Sequence, residues 1–172
     1  GGLLRGVPPS PMSLLCWNCR GVGNPTTVHE LRDLAKKFTP TVLCIVETQI
    51  DRVRVENLKG ELGYNKSYVV SSDGRSGGLV LFWNKNIKVH RLALDPMFID
   101  VRVTDEQNNE WRLTGMYGEF RWEHKHRTWE RMRRLHHNNT LPWLLIGDLN
   151  EIQFLHEKEG GNPRPQQYMH AF

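Results

Sequence analysis

The sequence predicts an α/β fold in which sheets are flanked by helices, and three observations carry that prediction. Residues 41–48, TVLCIVET, form an unbroken apolar run of the kind a strand covered on both faces requires. Two other segments, one from Pro25 to Pro40 and one over 121–138, repeat apolar residues at helical spacing. Between Asn65 and Gly118 the texture changes to short strand-like segments separated by turn residues. The resulting order, β-α-β-α, then several strands, then α-β, points to sheets with helices outside rather than to a purely doubly wound sheet.

Taken in order, residues 1–11, GGLLRGVPPSP, read as a flexible Gly/Pro-rich lead-in and not as a signal peptide or transit helix. The first residue is Gly rather than Met, which suggests a fragment or a processed product. MSLLCWNCRG (12–21) reads as a strand cut off by Gly21-Val22-Gly23. Asn24 then caps a helix with Pro25 at its first position, where the missing N–H has no partner to lose. Val28, Leu31, Leu34, Ala35 and Phe38 supply its apolar face, and Pro40 ends it. A shorter helix over 52–60 has only a partial stripe, Val53, Val55 and Leu58, and is bounded by Gly60 and Gly63.

Strands are expected over 65–71, 78–84, 86–94, 98–104 and 110–117, with turns at Asp73-Gly74, Asn84-Lys85-Asn86, Asp95-Pro96 and Gln107-Asn108-Asn109. A long helix over 121–138 places Trp122, Trp129, Met132 and His136 on a core side and Arg127, Arg131 and Arg134 on the other. Pro142 opens a last, buried strand, WLLIGD, and the chain beyond Asn150 is polar and rich in turn residues.

Bulk properties narrow the function classes. A chain of 172 residues that is 38% hydrophobic can bury one core, and no apolar run approaches the roughly 18 residues of a membrane span. Three cysteines, an odd number, argue against a disulfide framework and for a reducing, intracellular setting. Cys16 and Cys19 form a lone C-x-x-C, too few ligands for structural zinc, and read as packed free thiols with redox chemistry as a distant alternative. The net charge of +4 is concentrated between Arg121 and Asn139, a stripe that suits either a polyanion or a solvated helix face. GRSGGLVLFW (74–83) lacks the Gly-Lys-Ser/Thr of a phosphate loop, so its paired glycines point to a close backbone approach at a strand start. The four histidines of the 121–138 helix close no metal geometry and read as surface or packing residues.

Chemistry gathers at strand ends. Apolar runs deliver Asn18, Glu47, Tyr117, and Asp148 with Asn150 at their carboxyl ends. Where strands run together these ends meet at one rim, the usual ligand position in layered α/β proteins. A carboxylate such as Glu47 beside a buried run needs a partner, and a hard divalent cation such as Mg²⁺ would meet that need with few protein ligands. Asp148 could orient or deprotonate an attacking water, with Asn150 and Asn18 bonding around it and Tyr117 donating to a phosphate oxygen. Ordinary strand-end groups satisfied by loop backbone are the bland alternative.

In this order, LLCWNCRG, VLCIVET, SGGLVLFW, GMYGEF and LLIGDLNEI resemble the endonuclease/exonuclease/phosphatase superfamily, which includes DNase I and apurinic/apyrimidinic endonucleases. The wording is most similar to the endonuclease domain of plant LINE-type (non-LTR) retroelements, down to Glu157-Lys158-Glu159-Gly160-Gly161 after the last strand. The resemblance covers residue 12 to the end and implies a four-layer α/β sandwich of two mixed sheets with helices outside. It assigns the metal glutamate to Glu47, the strand-end asparagine to Asn18, the phosphate-contacting tyrosine to Tyr117, and the Asp-x-Asn pair to Asp148 and Asn150. The implied activity is Mg²⁺-dependent nicking of DNA, with Mn²⁺ as an alternative ion. The implied partners are DNA and a reverse transcriptase domain of the same polyprotein, with no membrane, in an intracellular and, for chromosomal DNA, nuclear setting.

The chain departs from the family pattern in two ways. Arg20 stands where some relatives carry an aspartate and could contact phosphate, together with Arg127, Arg131 and Arg134 as substrate-binding cations. The family's later Asp and terminal Ser-Asp-His do not occur in 151–172, so 12–172 is expected to be a partial domain with an incomplete second sheet and weak or no activity. The competing readings are a non-catalytic nucleic-acid-binding remnant and a phosphatase of the same fold.

Overall fold

The unbroken apolar run becomes β2 (Val42–Val46), with all five residues buried. It lies inside a sheet ordered β1-β2-β4-β3, with β1 (Leu14–Asn18), β3 (Lys66–Val70) and β4 (Leu79–Trp83). β1 and β2 run parallel, and β4 runs antiparallel to both β2 and β3. The second sheet is ordered β5-β6-β7-β8, from β5 (Lys88–Asp95), β6 (Phe98–Thr104), β7 (Glu110–Tyr117) and β8 (Trp143–Asp148). Only its β7–β8 pair is parallel, so both sheets are mixed. This computed structural model describes residues 11–72, 77–137 and 139–151, with 156, 159 and 160. The lead-in over 1–10, the Asp73-Gly74 turn and most of the 157–161 motif lie outside the described residues.

Side-chain alternation sorts the core into three seams. One face of the first sheet (Leu43, Ile45, Val80, Phe82) packs against α1 (Pro25–Phe38) and α2 (Arg52–Glu61) through Leu31, Val55 and Leu58. Its other face (Val42, Cys44, Val46, Leu79, Leu81) meets Ile99, Val101, Val103 and Leu113 of the second sheet. The outer face of the second sheet packs Phe98 and Met116 against Leu135 and Met132 of α3 (His126–His137). The result is four layers, helices–sheet–sheet–helix, as the resemblance implies.

Local chemistry explains the element boundaries. The Asn24 side chain accepts the Thr26 N–H and caps α1, while Thr39 turns left-handed to stop it before Pro40. Asp51 caps α2 by accepting the Arg54 N–H. In α2 only Val55 and Leu58 are buried and Val53 is 72% exposed, so the expected stripe shrinks to two residues. No helix among the described residues is long and apolar enough to cross a membrane.

Three expectations need correction. The 121–138 helix is broken into a 3-10 turn, Trp122–His124, followed by α3. Its buried face is Thr128 and Leu135, with His136 exposed and Arg131 half-buried against Asp95. The reason lies beneath it: the second sheet offers α3 a polar patch of Asp100, Arg112 and Thr114 as well as apolar side chains. Finally, β8 is an edge strand bonded only to β7, so it is half-buried rather than buried, and Leu144 is 40% exposed.

Candidate functional site

Parallel pairing brings four strand ends to one rim. β1 and β2 run in register to Asn18 opposite Val46, and β7 and β8 run in register to Tyr117 opposite Asp148. The edges β1 and β8 then meet, where Asn18 Nδ2 donates to Asp148 Oδ2 at 2.7 Å. Asp148 Oδ1 accepts the Asn150 N–H at 2.8 Å, and Asn150 Nδ2 donates to the Gly118 carbonyl at 2.8 Å. The Tyr117 phenol stands beside the side chains of Asn150 and Glu47, close enough for both to act on its titration. Gln49 Nε2 reaches Glu47 Oε1 at 3.4 Å. Asn18, Asp148 and Asn150 are therefore joined by hydrogen bonds at the rim, with Tyr117 and Glu47 beside them.

The backbone at this rim is strained in a way no propensity predicts. Arg20, Glu47, Gln49 and Asn150 have φ of 49°, 59°, 53° and 54°. A left-handed residue with a side chain costs about 1–2 kcal/mol, so such conformations persist only where surrounding bonds over-determine them. Those bonds are present. Gly21 and Val22 N–H groups donate to the Glu47 and Thr48 carbonyls, and the Thr48 and Gln49 N–H groups donate to the Gly78 and Gly77 carbonyls. The Glu47 turn is thus clamped from both sides. A Cβ on Gly78 would collide with Thr48 Oγ1, which gives Gly78 the close-approach role expected of the pair, whereas a Cβ on Gly77 would meet nothing within 4 Å. Gly147 has φ 148° and faces the Met116 carbonyl so closely that a Cβ would overlap it. Glycine there lets β8 reach the rim and deliver Asp148.

Electrostatics favour a neutral phenol. Burial foremost, and then the Glu47 and Asp148 charges, push the Tyr117 hydroxyl above its ordinary value, with the nearby Asn150 side chain opposing them. Tyr117 therefore stays protonated at neutral pH and acts as a donor. Among the described residues no Lys, Arg or His forms an ion pair with Glu47 or Asp148. Nor is there any group of three or more His, Cys, Asp or Glu residues able to cage a metal among them. Glu47, half-buried and without an ion-pair partner among the described residues, could hold a hard divalent cation, which takes oxygen ligands and few protein carboxylates.

A model of the Endonuclease/Exonuclease/phosphatase family matches residues 15–168. The chain belongs to the endonuclease/exonuclease/phosphatase family. Solved structures with this fold agree. The human Nocturnin catalytic domain superposes with TM-score 0.59 at 14% identity, over 83% of this chain and 65% of that one. D. rerio TDP2 humanised by 14 mutations gives 0.65 at 14% identity, over 82% and 67%. An AP endonuclease from Archaeoglobus fulgidus gives 0.60 at 15% identity, over 81% and 58%. The chain thus spans about two thirds or less of the solved chains it matches. No curated protein sequence matches it.

Within this family framework, some expected residues lie away from the network. Arg127, Arg131 and Arg134 line a groove of about 750 Å³ on the outer face of the second sheet, with Asp95, Asp100 and Arg112. The cavity at Asp148, about 400 Å³, is lined instead by Cys16, Asn18, Val46, Gly147, Leu149 and Glu151. The two share no lining residue, so the basic helix does not reach into that cavity. Arg20 is exposed at the rim, where its N–H donates to Asn18 Oδ1 at 3.0 Å. Cys16 and Cys19 do not form a dithiol. The Cys19 thiol faces the Val46 and Glu47 carbonyls and is pushed up to about 11 by burial, whereas Cys16 lies opposite Cys44 in the seam between the sheets.

Two residues were not anticipated. The Lys125 ammonium bonds to the Asn150 carbonyl and pairs with Glu151 at 2.8 Å, both side chains being largely buried. This clamp fixes the turn that carries Asp148 and Asn150. Sequence offers no signal for it, because Lys125 reads as one more cation in a basic stripe.

Proposed function

We propose that this chain carries the metal-binding half of a DNA endonuclease site that hydrolyses phosphodiesters, as in the nicking step of a LINE-type retroelement. The observation that carries this reading is the Asn18–Asp148–Asn150 hydrogen-bonded chain at the rim where Tyr117 and Glu47 also lie. Such a set would supply a carboxylate for a cation, a donor for phosphate and a second carboxylate for water at one rim.

Glu47 would hold Mg²⁺, or Mn²⁺ in its place, and the bound ion would polarise a phosphoryl oxygen and stabilise the leaving oxygen. Asp148 uses one lone pair on each oxygen for Asn18 and for the Asn150 N–H, leaving acceptor capacity for an attacking water and its proton. Asn18 fixes the carboxylate plane, and Lys125 fixes the turn behind it. Tyr117, kept neutral, donates to a phosphate oxygen whose charge grows as the bond to water forms. Arg20, exposed at the rim, is available to a flanking phosphate, while Arg127 and Arg134 offer a more distant contact to the same polyanion.

Nicking of supercoiled plasmid tests this reading: Mg²⁺-dependent conversion to open circles, lost in Glu47→Gln and in EDTA, is the expected outcome. The isolated chain should nick weakly, since the Ser-Asp-His that the resemblance expects at the phosphate is not among its 172 residues. Salt-sensitive DNA binding that ignores metal and Glu47 would favour the non-catalytic reading, and phosphate release from monoesters alone would favour the phosphatase one. The retroelement assignment also implies DNA and a reverse transcriptase domain as partners, and nuclear action on chromosomal DNA.

A further inference from the structure

We propose that Cys16 is a peroxide-reactive thiol in the wall of the Asp148 cavity, and that it is captured by Cys44 as an intramolecular disulfide that disables the site. Cys16 lines the cavity beside Asn18 and Asp148 and is half-buried, so a small oxidant can reach it. It stands two residues before Asn18 on β1, hence on the same face of the sheet.

Its partner is set by strand register. Cys16 lies directly opposite Cys44 in the parallel β1–β2 pair, and both side chains point into the seam between the sheets. Paired strands lie roughly 4.7–4.9 Å apart, inside the Cα separation of about 4.4–6.8 Å that a disulfide tolerates. The two thiols are close enough for each to act on the other's titration. The neighbouring Cys44 side chain pulls the Cys16 thiol down, against the opposing effects of burial and the Asp148 charge, and so favours the nucleophilic thiolate. Cys44 is fully buried, and its sulfur fills the space where a Cβ on Gly115 would sit, so it resolves rather than initiates. Cys19 is buried, faces two carbonyls and is pushed up to about 11, which leaves it unreactive.

The chemistry balances with hydrogen peroxide as the oxidant. The Cys16 thiolate attacks one peroxide oxygen, the O–O bond breaks, and hydroxide leaves to be protonated to water. Cys16 is then a sulfenic acid. The Cys44 sulfur attacks the Cys16 sulfur, the S–O bond breaks, and the departing hydroxide takes the Cys44 proton as a second water. Two thiols are oxidised and one peroxide is reduced. The new bond draws the Cys16 side chain toward β2 and tethers the strand that presents Asn18 to Asp148.

The consequence for activity rests on the proposed endonuclease function, but the chemistry does not, and the test separates them. The intact protein is treated with hydrogen peroxide, free thiols are blocked in denaturant, and peptides are mapped by mass spectrometry without reduction. The expected product joins the peptides holding Cys16 and Cys44, is lighter by two hydrogens, and is absent from Cys16→Ser and Cys44→Ser. In Cys44→Ser the map should show Cys16 as the oxidised residue without a partner. A Cys16–Cys19 link, prior oxidation of Cys19, or three thiols all surviving in the folded protein would overturn the proposal. Circular dichroism of each variant confirms that it folds, and Cys16→Ala serves where the serine variant does not. Where plasmid nicking is present, peroxide should suppress it and dithiothreitol restore it in the parent alone. Nicking that persists with the disulfide fully formed overturns the disabling role, whereas absent nicking with the link formed counts only against the endonuclease reading.

Discussion

Asn18 Nδ2 donates to Asp148 Oδ2 at 2.7 Å, joining two edge strands that lie 130 residues apart in sequence. This bond joins the ends of the two sheets at the rim, and it holds the carboxylate plane. Asn18→Ala should leave the fold intact and lower plasmid nicking by about 10–100-fold, the usual effect of losing a group that orients a site residue. Asp148→Asn removes the proposed base and should cost about 10²–10⁴-fold. Gel quantification of nicked plasmid checks both, and equal rates for Asn18→Ala and the parent would show that the bond is decorative.

Glu47 sits left-handed at φ 59° and forms no ion pair among the described residues. Glu47→Gln keeps the side-chain shape and removes the charge, so the nicking rate should fall by about 10²-fold or more. Titration with Mg²⁺ should also show a weaker apparent affinity, while the urea midpoint barely moves. A variant with unchanged metal dependence would place the cation elsewhere.

How much of this was readable from residues alone follows from what sequence pattern encodes. Asn18, Glu47, Tyr117, Asp148 and Asn150 stand out because each ends an apolar run, and parallel strand pairs bring such ends together. The Gly78 approach is readable for a similar reason, since glycine marks the absence of a side chain. The Lys125–Glu151 clamp, the Asp100–Arg112 pair and the Cys16–Cys44 contact are not readable, because register and helix docking decide them. The same holds for α3: a helical wheel puts Arg131 outside, but the polar patch under the helix draws it toward Asp95.

Gly147 provides a test of the strand end itself. With φ at 148° and the Met116 carbonyl where a Cβ would go, Gly147→Ala cannot be absorbed by a rotamer change. Backbone strain of this kind costs about 1–3 kcal/mol, so the urea midpoint should drop accordingly and nicking should fall with it as Asp148 shifts. A stable, fully active Gly147→Ala variant would contradict the described approach of β8 to β7.

Asp100 and Arg112 form a buried, two-pronged ion pair, with side chains only 2% and 8% exposed. Thr114 also donates to Asp100, and Arg112 reaches the Leu135 carbonyl, tying β6 and β7 to α3. Removing one partner strands a desolvated charge, so Asp100→Ala should lower unfolding free energy by about 3–5 kcal/mol. Replacing both partners with apolar residues of similar volume should cost much less. Chemical denaturation of the single and double variants measures the difference.

Alkaline unfolding should follow two buried donors. The Tyr64 hydroxyl donates to the Pro40 carbonyl at 2.8 Å, and burial pushes it up to about 12 from an ordinary value of 10.0. Burial likewise pushes the Cys19 thiol from 9.0 to about 11. Both folded values are raised, so the unfolded chain gives up these protons first. The stability they contribute is complete below pH 9.0 and disappears as pH climbs through about 11 and then about 12. Each shift corresponds to on the order of 2–3 kcal/mol. Tyr64→Phe should lose about 1 kcal/mol near neutral pH, where the hydrogen bond is missing. It should also show a shallower fall above pH 10.0, where the parent's tyrosine begins to favour the unfolded state. Urea midpoints measured across the alkaline range decide it: parallel curves for parent and Tyr64→Phe would mean that some other group governs the transition.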